Sequence, residues 1–471
     1  MMRIKTVFLL GISGLFASGC AVITSPFVKT ADVPVTWEQP APVDAPIWPA
    51  TNWWQAFSSP ELDRVIIAAQ TNNLDVAAAE ARVLQAQARA RQVGASLLPT
   101  VNLNVLAERQ GAIASSSASH ENNFGVFLGA SYELDFWGKN RNLFASAGAL
   151  AKATRADRET VALTATAGTA NTYFQLLSVR ERLSIARLNL ENAQMVLDII
   201  QRRFENGLAN AFETAQQRAT VFALQAIIPL LEQQELDSRA TLAILLGQKP
   251  EGFDVAGENL EDLASPAVAP GLPSELLARR PDIATAEAAL EAANANVAAA
   301  RAAFFPSIQL VGAGGLQNPA LQGVITTLGG TGAAFAIGAS LVQTVFDAGR
   351  LAGQRDEAQA REQELLANYR NVVLSAFSDV ERSLGNIGHL AEQENFQNQQ
   401  VLQNEQAFDV AQRRYGEGLD NFLTVLEAQR ALYVARDQVS QTRLARFQAI
   451  VGLYRALGGG WQAEELDIAQ N

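Results

Sequence analysis

Apolar and polar residues alternate in four short stretches of the chain. The longest covers residues 124–134, and weaker ones cover residues 101–105, 308–310 and 335–341. A period of two predicts β-strands with one apolar face and one small or polar face. Such strands fit the wall of a transmembrane barrel, and a soluble sheet with one wet face is the alternative. The apolar positions are Val101, Leu103, Val105, Phe124, Val126, Leu128, Ala130, Tyr132, Leu134, Ile308, Leu310, Phe335, Ile337, Ala339 and Leu341.

Long runs rich in Ala, Gln, Glu and Arg follow these stretches and predict helices. Glycines, prolines and asparagines bound two runs of equal length, residues 138–206 and 348–416, and two shorter return legs, residues 208–246 and 419–457. At 1.5 Å per residue the longer runs span about 100 Å and the return legs about 60 Å. Because the runs mix small residues with polar ones, we expect helices that pack closely sideways and keep polar groups towards water or a lumen.

The same landmarks occur twice in the same order, about 210 residues apart, which is the signature of a duplicated structural plan. Helical runs at residues 61–98 and 280–305 each lead to a proline, then to two strands and a long helical hairpin. The predicted repeats are residues 60–260 and 261–471. Four strands in one chain cannot close a barrel, and an open sheet edge is forbidden in lipid, so strands in a membrane require several chains in one barrel.

The N-terminus has the features of a signal peptide. Arg3 and Lys5 precede an apolar segment, residues 7–16, that is too short to span a bilayer. The following Ala17-Ser18-Gly19-Cys20 resembles the lipobox of bacterial lipoproteins, which implies cleavage after residue 19 and a lipid, palmitate included, on Cys20. An ordinary signal peptide with an incidental cysteine is the alternative. Residues 20–59, rich in proline and tryptophan, predict an extended tether packed on a surface.

Charge and composition exclude several function classes. The 36 basic and 48 acidic residues give a net charge of −12, which argues against nucleic acid as a partner. One cysteine and two histidines, His120 and His389, make a metal site or a histidine-dependent hydrolase improbable. We therefore expect no metal, no cofactor beyond a covalent lipid, and no enzymatic activity. Acidic residues near the helix turns resemble a catalytic carboxylate pair, but no pocket is predicted around them.

Residues 415–430, Tyr-Gly-Glu-Gly-Leu-Asp-Asn-Phe-Leu-Thr-Val-Leu-Glu-Ala-Gln-Arg, resemble the helix-tip motif of TolC-family outer-membrane efflux channels, closest to the OprM/NodT type of lipoprotein branch. Residues 132–138, 276–283 and 302–306 support this resemblance. It implies an α+β membrane protein: a homotrimer in which each chain gives four strands to one shared transmembrane β-barrel. That barrel would be continuous with a long periplasmic α-helical barrel.

The resemblance also assigns roles to individual residues. The tips that contact an adaptor protein would be Gly207, Leu208, Gly418 and Leu419. The constriction would consist of Leu423, as an apolar ring that excludes water, and Glu427, as an acidic ring that filters cations. Tyr415 matches a latch tyrosine and Glu213 its acidic partner, whereas Asp420 stands where TolC has a latch arginine, so the complete TolC network is not expected. On spacing alone, the alternative is that Leu423 and Tyr415 are packing residues and Glu427 is solvated.

The function implied is the exit channel of a tripartite efflux system. It would conduct small molecules passively from a periplasmic adaptor and an inner-membrane pump, most often of the resistance-nodulation-division type, to the exterior. Its place would be the outer membrane of a Gram-negative bacterium, with lipid as a further partner. The alternatives are the exit duct of type I protein secretion and a lipid-anchored structural coiled coil.

Overall fold

A computed structural model of the chain describes residues 33–39, 47–114, 117–257, 259–318 and 333–462. The predicted signal peptide, residues 1–19, and the predicted lipid site, Cys20, lie outside these residues. The helices are α1 (Pro60–Asn72), α2 (Leu74–Gly94), α3 (Lys139–Glu205), α4 (Ala211–Leu245), α5 (Pro273–Leu276), α6 (Pro281–Ala302), α7 (Arg350–Gly416) and α8 (Phe422–Ala456). The strands are β1 (Thr100–Ala114), β2 (Ser117–Leu134), β3 (Ser307–Asn318) and β4 (Ala333–Val342).

Both halves of the chain place two strands before a long helical hairpin. The outgoing helices α3 and α7 have 67 residues each, and the return helices α4 and α8 have 35 each. These lengths follow from the same signals in both halves, because a left-handed glycine ends each outgoing helix and an asparagine begins each return helix.

The described residues form two compact units that do not coincide with the halves. One, the strand unit, comprises Ala86–Ala151 and Ala288–Ala367. The other, the helix unit, comprises Val33–Gln85, Lys152–Glu287 and Asn368–Asn471, up to residue 462 in its described part. Each unit therefore combines segments from both halves of the sequence.

The helical run predicted at residues 61–98 is interrupted. Asn73 separates α1 from α2, and its side-chain oxygen accepts hydrogen bonds from the amides of Asp75 (2.9 Å) and Val76 (3.1 Å). The Asn73 side-chain nitrogen also donates to the carbonyl oxygen of Leu245 at 2.9 Å. Asn73 is thus the N-cap of α2. Its side chain bonds amides that would otherwise bond backbone carbonyls of a continuous helix, and helical periodicity does not reveal this competition.

The four strands form one antiparallel sheet in the order β1-β2-β3-β4. The register pairs Leu103 with Leu128, Leu128 with Gly314, and Gly314 with Phe335. The apolar positions predicted from the alternation therefore lie on one face of the sheet, which confirms that prediction. Much of this face is open in the single chain, since Val105 is 73% exposed and Ile337 is 86% exposed.

Part of the predicted tether packs into the helix unit. Residues Trp53–Phe57 form a short 3-10 helix, so the tether is not extended throughout. Trp53 stacks on Tyr454 with ring centroids 4.9 Å apart, and Phe57 packs 5.0 Å from Phe174. Because Trp53 and Phe57 are buried, their apolar area contributes to the core of the unit rather than to a separate one.

None of the helices that the structure describes has an apolar stretch long enough to cross a bilayer.

Candidate functional site

The two helix turns that the sequence singled out have the same local structure. Gly207 (φ 72°) and Gly418 (φ 76°) occupy the left-handed position after α3 and α7. The amides of Leu208 and Leu419 then bond back to the carbonyls of Arg203 (2.7 Å) and Arg414 (2.9 Å). This pattern is a Schellman motif, which requires a residue without a Cβ penalty at its left-handed position. Both turns are therefore set by local sequence.

The tips of both turns are open to solvent. Leu208 is 69% exposed and Leu419 is 61% exposed. An exposed leucine at the end of a helical hairpin does not stabilise the folded single chain, because its apolar area remains in water. The exposure agrees with a contact surface at these tips.

Tyr415 and Glu213 join the two hairpins. The Tyr415 hydroxyl donates a 2.8 Å hydrogen bond to Oε2 of Glu213, while Glu213 Oε1 accepts from the Asn210 side chain at 3.0 Å. The Tyr415 side chain is buried among Phe422, Val425 and other apolar residues of both hairpins. Burial, followed by the hydrogen bond to Glu213, raises the pKa of Tyr415 to about 12. The hydroxyl is therefore protonated, and acts as a donor, throughout the physiological range.

Asp420 has a cationic partner of its own. Arg414 Nε donates to Asp420 Oδ2 at 2.6 Å, and this hydrogen bond, followed by the charge of Asp420, raises the pKa of Arg414. The pair closes the second turn on itself and does not reach the first hairpin. The carboxylate of Asp420 is therefore paired within its own hairpin.

A second arginine at the turns, Arg203, has no role predicted from sequence. Its Nη1 donates to the carbonyl oxygens of Tyr415 at 2.9 Å and Gly416 at 3.1 Å. The only signal for it was the Arg-Arg-aromatic triplet shared by residues 202–204 and 413–415, which does not tell Arg203 from Arg414.

Leu423 and Glu427 lie on a face of α8 that points away from the packed core. Leu423 is 56% exposed and Glu427 is also exposed, whereas Val425 and Leu426 between them are buried. In the single chain Leu423 is therefore not a core residue, whereas Tyr415 is packed in the core and Glu427 is exposed, as the alternative from spacing predicted. Four residues apart on one helix, the two side chains are neighbours one turn apart.

Within the part of the chain that the structure describes, no three His, Cys, Asp or Glu residues are arranged to hold a metal ion.

Comparisons with known proteins agree on one family. The family model described as "Outer membrane efflux protein" matches residues 65–248 and 272–459, more than half of the chain. The pyoverdine export outer membrane protein OpmQ of Pseudomonas aeruginosa is 43% identical over 465 residues, which cover 97% of each chain. OpmQ of Pseudomonas putida is 44% identical and covers 94% of this chain and 95% of its own.

A solved structure shows the same fold. The outer-membrane channel OprN superposes with a TM-score of 0.86 and 27% sequence identity, covering 93% of this chain and 99% of its own. The two turns, the four-stranded sheet and the paired long helices are thus features of an outer-membrane channel. The chain belongs to the outer membrane efflux protein family.

Proposed function

We propose that this outer-membrane efflux channel is a passive exit duct, closed by a gate at its two helix turns. The observation that carries the proposal is the bond from Tyr415 to Glu213, which ties the second hairpin to the first beside the exposed pair Leu423 and Glu427. Breaking that bond removes one of the contacts that hold the two hairpins together. The duct carries cargo without making or breaking covalent bonds.

The duct is a homotrimer. Strands β1 and β4 are the edges of the sheet, and its apolar face is exposed in the single chain. A strand edge in lipid leaves backbone groups without hydrogen-bond partners, each at a cost of several kcal/mol. Three copies of the four-stranded sheet, joined edge to edge, remove this cost and form one barrel.

In a trimer, Leu423 and Glu427 form two rings around the axis. Three leucine side chains close a narrow pore by excluding water, and three carboxylates next to them favour cations. Glu427 carries this charge on a side chain one methylene longer than that of aspartate. The exposure of both residues in the single chain supports this placement.

The partners are a periplasmic adaptor protein at the tips Gly207, Leu208, Gly418 and Leu419, and an inner-membrane pump of the resistance-nodulation-division type. Exposed leucines at the end of each hairpin support the adaptor site. Cys20 carries the lipid that anchors the chain to the outer membrane. A Cys20→Ser variant that still incorporates palmitate in labelled cells would contradict the anchor.

The cargo is a siderophore of the pyoverdine type. Support comes from the two OpmQ relatives, whose names state pyoverdine export and whose identity extends over nearly the whole of both chains. Deleting the gene should lower the siderophore in the culture medium and raise it inside the cell. An unchanged distribution, with antibiotic sensitivity increased instead, would point to an antibiotic pump.

The gate is tested by reconstituting the full lipoprotein in planar bilayers. Tyr415→Ala and Glu427→Ala should each raise single-channel conductance, and should let large antibiotics enter intact cells. Glu392→Ala, an exposed acid on α7 away from the turns, is the matched control. Unchanged conductance in both test variants would overturn the gate. Failure of the wild type and of both gate variants to conduct would favour a structural coiled coil, and release of a protein rather than small molecules would favour type I secretion.

A further inference from the structure

The second hairpin is held by Arg203 at a point separate from the Tyr415 hydroxyl. Arg203 lies in the last turn of α3, and its Nη1 donates to the carbonyl oxygens of Tyr415 and Gly416, the last two residues of α7. Terminal carbonyls of a helix lack partners within the helix and carry its negative dipole end. The guanidinium of Arg203 complements the charge of this helix end, and it gives the Tyr415 carbonyl oxygen a second donor beside the Gly418 amide at 3.0 Å.

Arg203 also contacts the Tyr415 ring. Its Cζ lies 4.6 Å from the ring centroid, within the range of a cation–π interaction. Its Nε is buried and has no hydrogen-bond acceptor among the described residues. The guanidinium is thus fixed by the Nη1 bonds and by the ring, and both of these belong to the end of α7.

The matching residue of the second hairpin behaves differently. Arg414 occupies the corresponding place in the last turns of α7, yet it donates to Asp420 within its own hairpin and its side chain is 50% exposed. Ala209 stands in the first turn where Asp420 stands in the second, so Arg203 has no carboxylate at that place. This difference leaves Arg203 available to reach across to the other hairpin.

We propose that Arg203 is a positioning residue of the gate, which clamps the end of α7 to α3 whether or not the Tyr415 hydroxyl is bonded. This inference rests on the proposed gate. Tyr415 is held at two places by the first hairpin: Glu213 binds its hydroxyl, and Arg203 binds its ring and its carbonyl oxygen. Loss of the hydroxyl alone leaves the second attachment intact, because phenylalanine keeps the ring and the carbonyl.

The test compares Tyr415→Phe, Arg203→Gln, Arg203→Lys and the double variant Arg203→Gln/Tyr415→Phe in the full lipoprotein. Arg202→Gln is the matched control, since Arg202 is the adjacent exposed arginine of the same turn. Open probability in planar bilayers is measured, with the amount of trimer on native gels recorded for every variant.

Arg203→Gln should raise the open probability by about tenfold or more, because it removes two charge-assisted hydrogen bonds and the ring contact, whereas Tyr415→Phe removes a single bond. Tyr415→Phe should raise it less, and the double variant should exceed both. Arg203→Lys should restore part of the closure, since it keeps the charge but loses the planar group that stacks on the ring. If Arg203 had only a structural role, its substitution would lower the amount of trimer, and the open probabilities of the variants would not follow the order given above.

Equal open probabilities for Arg203→Gln, Arg203→Lys and Arg202→Gln, while Tyr415→Ala opens the channel, would overturn the role of Arg203 and leave the proposed gate standing. If Tyr415→Ala also fails to open the channel, the gate itself is wrong. If Arg203→Gln does not form a trimer, Arg203→Lys and the double variant Arg203→Lys/Tyr415→Phe are used in its place. If the double variant then has no higher open probability than Tyr415→Phe, the proposal is overturned.

Discussion

Gln217 and Gln429, the first residues of the two Gln-Arg-Ala segments, meet inside the protein. Gln217 Nε2 lies 3.4 Å from Gln429 Oε1, and both side chains are completely buried. The same Nε2 donates to the Ala193 carbonyl oxygen at 2.9 Å, and Gln429 donates to the Tyr433 hydroxyl at 2.9 Å. A chain of polar groups therefore crosses the core directly behind the proposed gate, and it connects corresponding segments of the two hairpins.

This polar chain predicts a non-additive mutant cycle. Gln429→Leu alone should destabilise the protein by about 1–3 kcal/mol, because Gln217 is left without that partner in a buried site. Gln217→Leu/Gln429→Leu should be less destabilised than the sum of the single variants, since both members of the pair are then apolar. Guanidinium unfolding monitored by circular dichroism measures the cycle. Simple additivity would show that the two amides do not interact.

A buried ion cluster predicts a strongly destabilising substitution. Arg443 bonds to Glu394 (3.0 Å), Glu181 (3.0 Å) and Glu261 (2.7 Å). Burial raises the pKa of Glu181, which the charge of Arg443 opposes. Arg443→Met leaves the buried carboxylate of Glu181 without its cation and should cost about 3–5 kcal/mol. Glu394 keeps Arg446 at 2.6 Å, and Glu261 is exposed to water.

The control for Arg443→Met is Arg361→Met, which removes the exposed pair of Arg361 with Glu364. Exposed pairs contribute about 0–1 kcal/mol, so this variant should unfold nearly as the wild type does. Adding Glu181→Gln and Glu394→Gln to Arg443→Met should recover part of the loss. Equal denaturation midpoints for Arg443→Met and Arg361→Met would contradict the importance of the buried cluster.

Alanine substitutions at two glycines with the same backbone conformation should destabilise the protein to different extents. Gly247 (φ 66°) and Gly252 (φ 76°) both lie in the left-handed region, where an added Cβ costs about 1–2 kcal/mol. A Cβ at Gly247 would in addition overlap the Asn72 carbonyl oxygen, whereas one at Gly252 meets open space. Gly247→Ala should therefore lower the thermal midpoint more than Gly252→Ala. Equal midpoints or the reverse order would contradict a close approach of the Asn72 carbonyl oxygen to Gly247.

Tyr415 predicts a pH dependence at the alkaline end. Its pKa is about 12 in the folded protein against an ordinary value of 10.0, so between these values the unfolded chain loses the proton and the folded protein keeps it. This contribution to stability is complete below pH 10 and is lost as the pH rises towards 12. Ultraviolet titration of tyrosinate in wild type and Tyr415→Phe should differ by one group that ionises near pH 12. A difference centred near pH 10 would contradict a buried, bonded hydroxyl.

Much of the local structure follows from the sequence. The alternation at residues 124–134 places the apolar face of the sheet, since side chains on a strand point to opposite faces in turn. Gly207, Gly418, Asn210 and Asn421 place the turns, because left-handed backbone and helix N-caps each favour few residue types. The resemblance around Tyr415 named Glu213 as its partner, and the structure shows the hydrogen bond between them. The break at Asn73 was missed because an N-cap inside an alanine-rich run leaves the helical period almost unchanged.

The sequence by itself determined the elements, their order and the turns, because periodicity, glycine and capping act over a few residues. Only the tertiary structure decided that Arg203 contacts the end of α7 and gave the geometry of the bond between Tyr415 and Glu213. Tyr415 and Glu213 are 202 positions apart, and Arg203 and Arg414 stand in matching triplets with different partners. Arg414 pairs with Asp420 six residues away, whereas Arg203 has Ala209 at the corresponding place, and its contacts with the end of α7 depend on how the helices pack.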